Sequence, residues 1–214
     1  MKLYTYFRSS AAYRVRIALN LKGLKPETLP VHLLRGGGEQ KQPDYLALNP
    51  QALVPALEDD GHLLTQSLAI IEYLDEVVPA PPLLPADAPG RARVRAIAQS
   101  IACEIHPLNN LRVLAYLTKT LGVADAARQD WYRHWVFTGF GALETQLSRD
   151  PACGVFCHGD SPTIADCCLV PQVFNARRFE IDLSAFPTLV RIDAACQRLA
   201  AFVDAAPARQ PDAE

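Results

Sequence analysis

The chain lacks the features that mark several large protein classes. No apolar stretch in its 214 residues approaches the ~20 that a membrane-spanning helix needs. Met1-Lys2 leads into a short strand-like segment instead of the apolar core of an export signal, so a cytoplasmic protein is expected. Positive charge is not in excess: 21 Lys and Arg stand against 23 Asp and Glu, which leaves no basic field for nucleic acid. Cys103, Cys153, Cys157, Cys167, Cys168 and Cys196 form neither a disulfide scaffold nor a zinc spacing, because the closest candidates, Cys153 and Cys157, have three residues between them where a zinc knuckle has two. Reduced, mostly buried thiols and no metal are therefore expected. Internal repeats and low-complexity segments are also absent. The length leaves room for one large or two modest domains, each with a real core.

Up to Pro82 the pattern alternates between strand and helix. Residues 1–6 read as a strand, and residues 10–22 as a helix that buries Ala11, Ala12, Val15, Ala18 and Leu19, with Gly23 as its stop. A second strand is predicted over residues 28–34. Gly36-Gly37-Gly38 is too flexible for either element and is expected to form a mobile loop. Strands over 54–57 and 62–65 flank Asp59-Asp60-Gly61, a hairpin turn by composition. A helix over 66–78 that buries Ala69, Ile70, Tyr73, Leu74 and Val77 closes the unit. This order, βαβ and then ββα, is that of a thioredoxin-like domain, assigned to residues 1–81.

Pro79, Pro81, Pro82, Pro85 and Pro89 cannot continue a helix and predict a semi-rigid linker, assigned to residues 82–90. Residues 91–214 then read as an all-helical domain. Within it a helix over 92–121 should be kinked at Pro107, and another over 125–149 should bury Trp131 and Trp135. Thr163 and Asp166 have the spacing of a capping box, which gives Asp166 a folding role. The tail over 205–214, rich in Ala, Pro and charge, is expected to be loose.

The chemistry concentrates at Arg8-Ser9-Ser10, where the first strand hands over to a helix. A helix entrance favours an anion, because its first N–H groups lack partners and the peptide dipoles leave partial positive charge there. The turn therefore reads either as an anion site or as a plain serine cap. Gln66-Ser67 opens a later helix and carries the same two readings. For Val54-Pro55, sequence alone favours an ordinary trans proline at an edge strand. His32 reads as a surface histidine on a strand.

A resemblance narrows these choices. Ser9-Ser10-Ala11-Ala12-Tyr13-Arg14-Val15-Arg16-Ile17-Ala18-Leu19 is similar to the Ser-Ser-Cys-Ser-x-Arg-Val-Arg-Ile-Ala-Leu motif of the zeta-class glutathione transferases, a class that includes maleylacetoacetate and maleylpyruvate isomerases. The likeness continues through Leu48-Asn49-Pro50-Gln51-Ala52-Leu53-Val54-Pro55, Gln66-Ser67-Leu68-Ala69-Ile70, His106-Pro107-Leu108-Asn109-Asn110-Leu111-Arg112 and Asn175-Ala176-Arg177-Arg178-Phe179. One position departs from the pattern: Ala11 stands where the motif usually has Cys, which removes a thiol from the turn and argues against redox activity.

The resemblance implies an α/β thioredoxin-like domain followed by an all-α domain, glutathione as cofactor, a small dicarboxylate substrate and a homodimer. The implied reaction converts maleylacetoacetate to fumarylacetoacetate by reversible thiolate addition. Maleylpyruvate isomerisation, conjugation or dehalogenation of small halogenated acids, and a non-catalytic binding role are the alternatives. Ser9, with Ser10 close by, is implied to donate to the thiolate. Val54 and a cis Pro55 pair with the tripeptide backbone, Gln66 and Ser67 hold its γ-glutamyl carboxylate, and Gln40 meets its glycyl end. His106, Asn110 and Arg112 match a cleft-facing segment on the cofactor side. Arg8, Arg112 and Arg178 suit the substrate carboxylates and the negative charge that develops on the enolate, and Arg177 is left to solvent. A free thiol of this kind has a pKa of about 8.5, and each unit by which it is lowered takes about 1.4 kcal/mol of preferential anion stabilisation.

Overall fold

The computed structural model describes residues 1–214. The chain divides into two compact units, one of Met1–Leu84 together with Gln197–Glu214, the other of Pro85–Cys196.

The first unit is built on a four-stranded sheet, β1 (Lys2–Thr5), β2 (Glu27–Pro30), β3 (Ala56–Asp59) and β4 (His62–Thr65), in the order β2-β1-β3-β4. β1 runs parallel to β2 and antiparallel to β3, which is antiparallel to β4. The β3–β4 turn puts Asp60 and Gly61 at φ 46° and 76°, the positive pair that a two-residue hairpin requires. Three helices complete this part of the unit: α1 (Ser10–Leu21), α2 (Pro43–Leu48) and α3 (Ser67–Val77).

Several expectations need correction here. The second strand stops at Pro30, and a different set of partners takes over the backbone beyond it. Glu39 accepts from the His32 N–H at 2.6 Å, and His32 Nδ1 accepts from the N–H groups of Leu34 and Arg35 at 3.2 and 2.8 Å. Such side-chain capture competes with a strand ladder. His32 is thus a half-buried turn residue, not a surface strand residue. The glycine segment is shaped into two short 3-10 turns, Arg35–Gly37 and Glu39–Lys41. α2 was not anticipated; its Tyr45 packs into a cluster with Tyr6, Phe7, Val31 and Val54.

α1 buries far more than one stripe, including Arg14 and Arg16 at 2% and 5% exposure, while Ala11 is only half-buried. In α3 the inner face is Ile70, Ile71 and Leu74; Ala69 and Val77 are exposed, and Tyr73 reaches outward to donate to Asp59 at 2.9 Å.

In the second unit Asp87 caps α4 (Ala88–Gln99), accepting from the Gly90 N–H at 2.8 Å, with Pro89 in the first turn. The helix expected to kink at Pro107 is instead broken. α4 runs into a π-helical segment, Ser100–Ile105, then a 3-10 turn, Pro107–Asn109, before α5 (Leu111–Lys119). Pro107 offers no N–H to continue the ladder, and Asn110 starts afresh as an N-cap. α6 (Asp125–Arg149) buries Tyr132, Val136, Phe140, Leu143 and Leu147, whereas Trp131 and Trp135 lie half-buried on its flank. α7 (Ile164–Arg178) begins with the expected Thr163–Asp166 capping box, and Asp166 also accepts from the Cys157 N–H at 2.8 Å. α8 (Pro187–Cys196) packs against α7 and α6. Cys157, Cys167, Cys168 and Cys196 are buried and outside any disulfide; burial pushes the thiols of Cys157, Cys167 and Cys196 up. No helix is long and apolar enough to cross a membrane.

The tail is not loose. α9 (Ala200–Val203) and the turn Pro207–Arg209 bury Phe202, Ala205 and Pro207 within the first unit. Tail carbonyls there serve as acceptors: Phe202 O from the Tyr13 hydroxyl, Ala201 O from Asn20 and Ala205 O from Arg16.

Candidate active site

Strand register gathers the candidate segments of the first unit at one end of the sheet. Tyr4 pairs with Ala56, Ala56 with Thr65, and Thr5 with Pro30. The four segments that leave this end are therefore Tyr6 to Ser10, Val31 to Gln40, Val54-Pro55 and Gln66-Ser67. This is the carboxyl end of the parallel pair β1 and β2, the usual ligand side of an open α/β sheet.

Ser9 is the N-cap of α1. Its Oγ accepts from the Ala12 N–H at 3.2 Å, which leaves its hydroxyl hydrogen to donate outward. Its own N–H donates to Tyr6 O at 3.0 Å, so the turn is closed on both sides. Ser10 is buried at the first helical position, and the Arg8 guanidinium lies 4.7 Å from the centre of the Phe7 ring. Capping and anion binding are thus compatible: one oxygen accepts inward and donates outward.

The Val54-Pro55 peptide is cis. The loop before it is tied down at Leu53 O, which accepts from the Tyr45 hydroxyl at 2.6 Å and from Asn49 Nδ2 at 2.9 Å. Burial pushes the Tyr45 phenol up to about 12, so it donates throughout the neutral range. Gln66 occupies a left-handed conformation, φ 69° and ψ 116°, and its amide donates to Gln51 Oε1 at 2.9 Å. A non-glycine residue held there costs about 1–3 kcal/mol, a burden typical of binding positions. Ser67 Oγ accepts from Arg14 Nη1 at 3.1 Å, so a buried guanidinium adds positive charge under the N-terminus of α3.

Gln40 is 6% exposed, and its Oε1 is buried with no hydrogen-bond partner. Gly38, at φ 108°, makes this packing possible. A Cβ there would sit 2.7 Å from both amide atoms of Gln40 and 2.9 Å from Leu33 O.

In the helical unit His106 ends the π-helical segment, its N–H donating to Ile101 O at 2.9 Å. Asn110 Oδ1 accepts from the Val113 N–H at 3.0 Å, and Arg112 is exposed in the first turn of α5. Arg178 closes α7, its guanidinium 5.0 Å from the Phe179 ring centre. Tyr132 connects these places. Its ring stacks on Phe179 at 3.8 Å, its carbonyl accepts from Asn109 at 3.2 Å, and Arg178 opposes the rise in phenol pKa that burial causes. Arg177 is exposed, as expected, and its guanidinium also pairs with the buried Asp193 at 2.5 Å.

The family described as glutathione S-transferase, N-terminal domain, matches residues 1–76, and that described as glutathione S-transferase, C-terminal domain, matches residues 123–209. The chain belongs to the glutathione S-transferase family. Among its relatives, a probable maleylacetoacetate isomerase of Vibrio cholerae is 54% identical over 99% of this chain and 97% of its own. A zeta-class maleyl pyruvate isomerase in its holo form superposes with a TM-score of 0.96 at 53% identity, covering all of both chains. A maleylacetoacetate isomerase from Methylobacterium extorquens with bound malonate and GSH also reaches 0.96, at 45% identity and full coverage of both.

The chain is a zeta-class glutathione S-transferase, and several residues outside the motif roles named above brace its candidate site segments. Arg14, Arg16, Asn49 and Gln51 all support candidate site segments, although none was assigned a role. A charged residue inside an otherwise apolar helical stripe was the available signal for Arg14. For Asn49 and Gln51 the signal was their place within the motif that leads to Val54-Pro55.

Proposed function

We propose that this chain catalyses the glutathione-dependent cis–trans isomerisation of maleylacetoacetate to fumarylacetoacetate. The observation that carries the reading is the Ser9 hydroxyl, held by the Ala12 N–H at the mouth of α1 with its hydrogen left to donate. The relatives add that proteins this similar bear these isomerase names and, in one case, hold GSH beside a small dicarboxylate.

The residues present suit glutathione. The unpartnered, buried Gln40 Oε1 can accept from a glycyl N–H, Val54 can offer backbone pairing, and the Gln66-Ser67 entrance of α3, with Arg14 beneath it, suits an α-carboxylate. When bound, glutathione supplies a thiolate that adds reversibly to the cis double bond and so permits rotation about it.

Ser9, with Ser10 and the first turn of α1, keeps the sulfur anionic by hydrogen bonding and by the helix N-terminus. Arg8 binds one substrate carboxylate through the paired N–H groups of its guanidinium and steadies negative charge that develops on the conjugated carbonyl. Arg178 takes the other carboxylate, with Arg112 in support. His106 and Asn110 serve the cofactor side of the same chemistry.

A second reading, maleylpyruvate isomerisation, is favoured by the zeta-class relative of that name. An ultraviolet assay with maleylacetoacetate, maleylpyruvate and a chloroacid separates the readings: turnover of the first that requires glutathione supports the proposal, and turnover of the chloroacid alone replaces it with a dehalogenating transferase. Arg8→Ala should lower kcat/KM for the dicarboxylate by about 10²-fold with glutathione affinity nearly kept. An equal loss with a neutral electrophile contradicts the carboxylate role. The reading also takes the protein as a cytoplasmic homodimer, as in the family, and sedimentation at the mass of a single chain would contradict that.

A further inference from the structure

The backbone between β1 and α1, which carries the Arg8-Ser9 turn, has outrun its sheet. The last ladder contacts of β1 are Thr5 with Pro30 and Tyr4 with Ala56. Beyond them, Tyr6 O and Phe7 O accept from the Arg16 guanidinium at 3.3 and 3.0 Å, and the Phe7 N–H donates to Asp212 Oδ2 at 2.9 Å. Asp212 comes from the far end of the sequence. The same guanidinium also donates to Ala205 O at 3.0 Å, so the tail grips this turn at two points. The second carboxylate oxygen of Asp212 is buried without a hydrogen-bond partner, and its charge acts on Arg16, whose pKa burial lowers to about 10 against that attraction.

A second clasp lies two residues further on. Glu214 pairs with Arg35 at 2.6 Å and faces His32 Nε2 at 3.4 Å. His32 Nδ1 is occupied by the N–H groups of Leu34 and Arg35, which leaves the ring proton on Nε2, pointing at Glu214. This clasp holds the loop that carries Gln40. The last residues of the chain thus fasten both the turn proposed to meet the sulfur and the loop proposed to meet the glycyl end.

We propose that the C-terminal tail is a strap that preorganises the glutathione site, with Asp212 as the positioning residue for the Arg8-Ser9 turn through the Phe7 N–H. Asp212 touches neither cofactor nor substrate in this role, and the inference rests on the glutathione reading given above. Removing the carboxylate leaves the buried Phe7 N–H without its acceptor and takes a nearby negative charge from Arg16, and the turn then samples positions from which Ser9 misses the sulfur.

The test compares the full-length protein with Asp212→Ala, Asp212→Asn and Glu214→Gln, using reduced glutathione as the probe. In the unliganded Asp212→Ala protein, amides over residues 7–12 should exchange about tenfold faster. Glutathione affinity by calorimetry should fall about tenfold, and the ultraviolet titration of the bound thiol should move toward that of the free tripeptide. Asp212→Asn, which keeps a carbonyl oxygen for the Phe7 N–H, should recover most of the affinity. Glu214→Gln should weaken affinity about threefold without moving the thiol titration. A lowered Tm with unchanged exchange, affinity and thiol titration in Asp212→Ala overturns the proposal, because it reduces the tail to a structural brace. Should Asp212→Ala fail to fold, Asp212→Glu decides in its place, since it misplaces the acceptor; an unchanged thiol titration there also overturns the proposal. Wild-type protein that binds no glutathione defeats the underlying reading instead, a result distinct from a strap that merely has no effect.

Discussion

Lys22 is a buried ammonium whose Nζ donates to Asp75 at 2.6 Å and to Pro81 O at 2.5 Å, while Leu83 donates its N–H to the same carboxylate at 2.8 Å. One pair of side chains thereby pins the proline-rich segment after α3. Removing Asp75 leaves an uncompensated buried charge. Asp75→Ala should cost about 3–5 kcal/mol of unfolding free energy by denaturant titration, and a loss near the ~1 kcal/mol of a surface pair would contradict this role. Residues of this kind were hard to read in the sequence, because their partners are carbonyls and carboxylates far along the chain. Ser9 was legible as a helix start, since a serine before an apolar period is a local signal. Arg14 and Arg16 were harder, because local periodicity assigns charges to the solvent face, whereas here Arg16 donates to four acceptors and Arg14 to Ser67 inside the fold. His32 was misread for the same reason: its ring nitrogen serves the backbone of the turn that follows it.

At the scale of elements, the helical unit brings α6 very close to the π-helical segment. A Cβ on Gly139 of α6 would stand 2.3 Å from Ile105 Cγ1 and Cδ1, at the end of the π-helical segment and next to His106. Gly139→Ala should therefore destabilise by about 1–3 kcal/mol through overpacking, although alanine is the better helix former. A rise in Tm would show that the approach is looser than described. The bounds of the two long helices α1 and α6 were legible nearly to the residue, whereas their buried faces were not. α2 was missed because its six residues are too few to show a period. The break at Pro107 was visible as a kink but not as a π-helical segment followed by a fresh N-cap, since nothing local announces a π segment.

For the whole molecule, the two family matches and the order of the units were foreseeable from the run of motifs, and the destination of the tail was not. Residues from Gln197 onward belong with the first unit. Beyond Leu199, Phe202 and Val203 they carry no large apolar side chain, and the burial of Phe202, Ala205 and Pro207 is joined by hydrogen bonds to Tyr13, Arg16, Asn20 and Phe7. Composition alone therefore pointed to a loose end. The candidate site of the first unit drew on both kinds of information: motif identity supplied its residues, and strand register showed that Ser9, Gln40, Val54 and Ser67 leave the same end of one sheet.

The central claim is that the protein holds the sulfur of glutathione as an anion at the Ser9 end of α1. Its most direct test is an ultraviolet titration of glutathione bound to the wild-type protein and to Ser9→Ala, a variant that should remain folded because a lost N-cap costs about 1 kcal/mol. The account predicts a bound thiol that ionises at least about one unit below the free value of about 8.5 in the wild type and returns toward it in Ser9→Ala. A bound thiol that titrates alike in the two proteins, or no lower than in free solution, would contradict it.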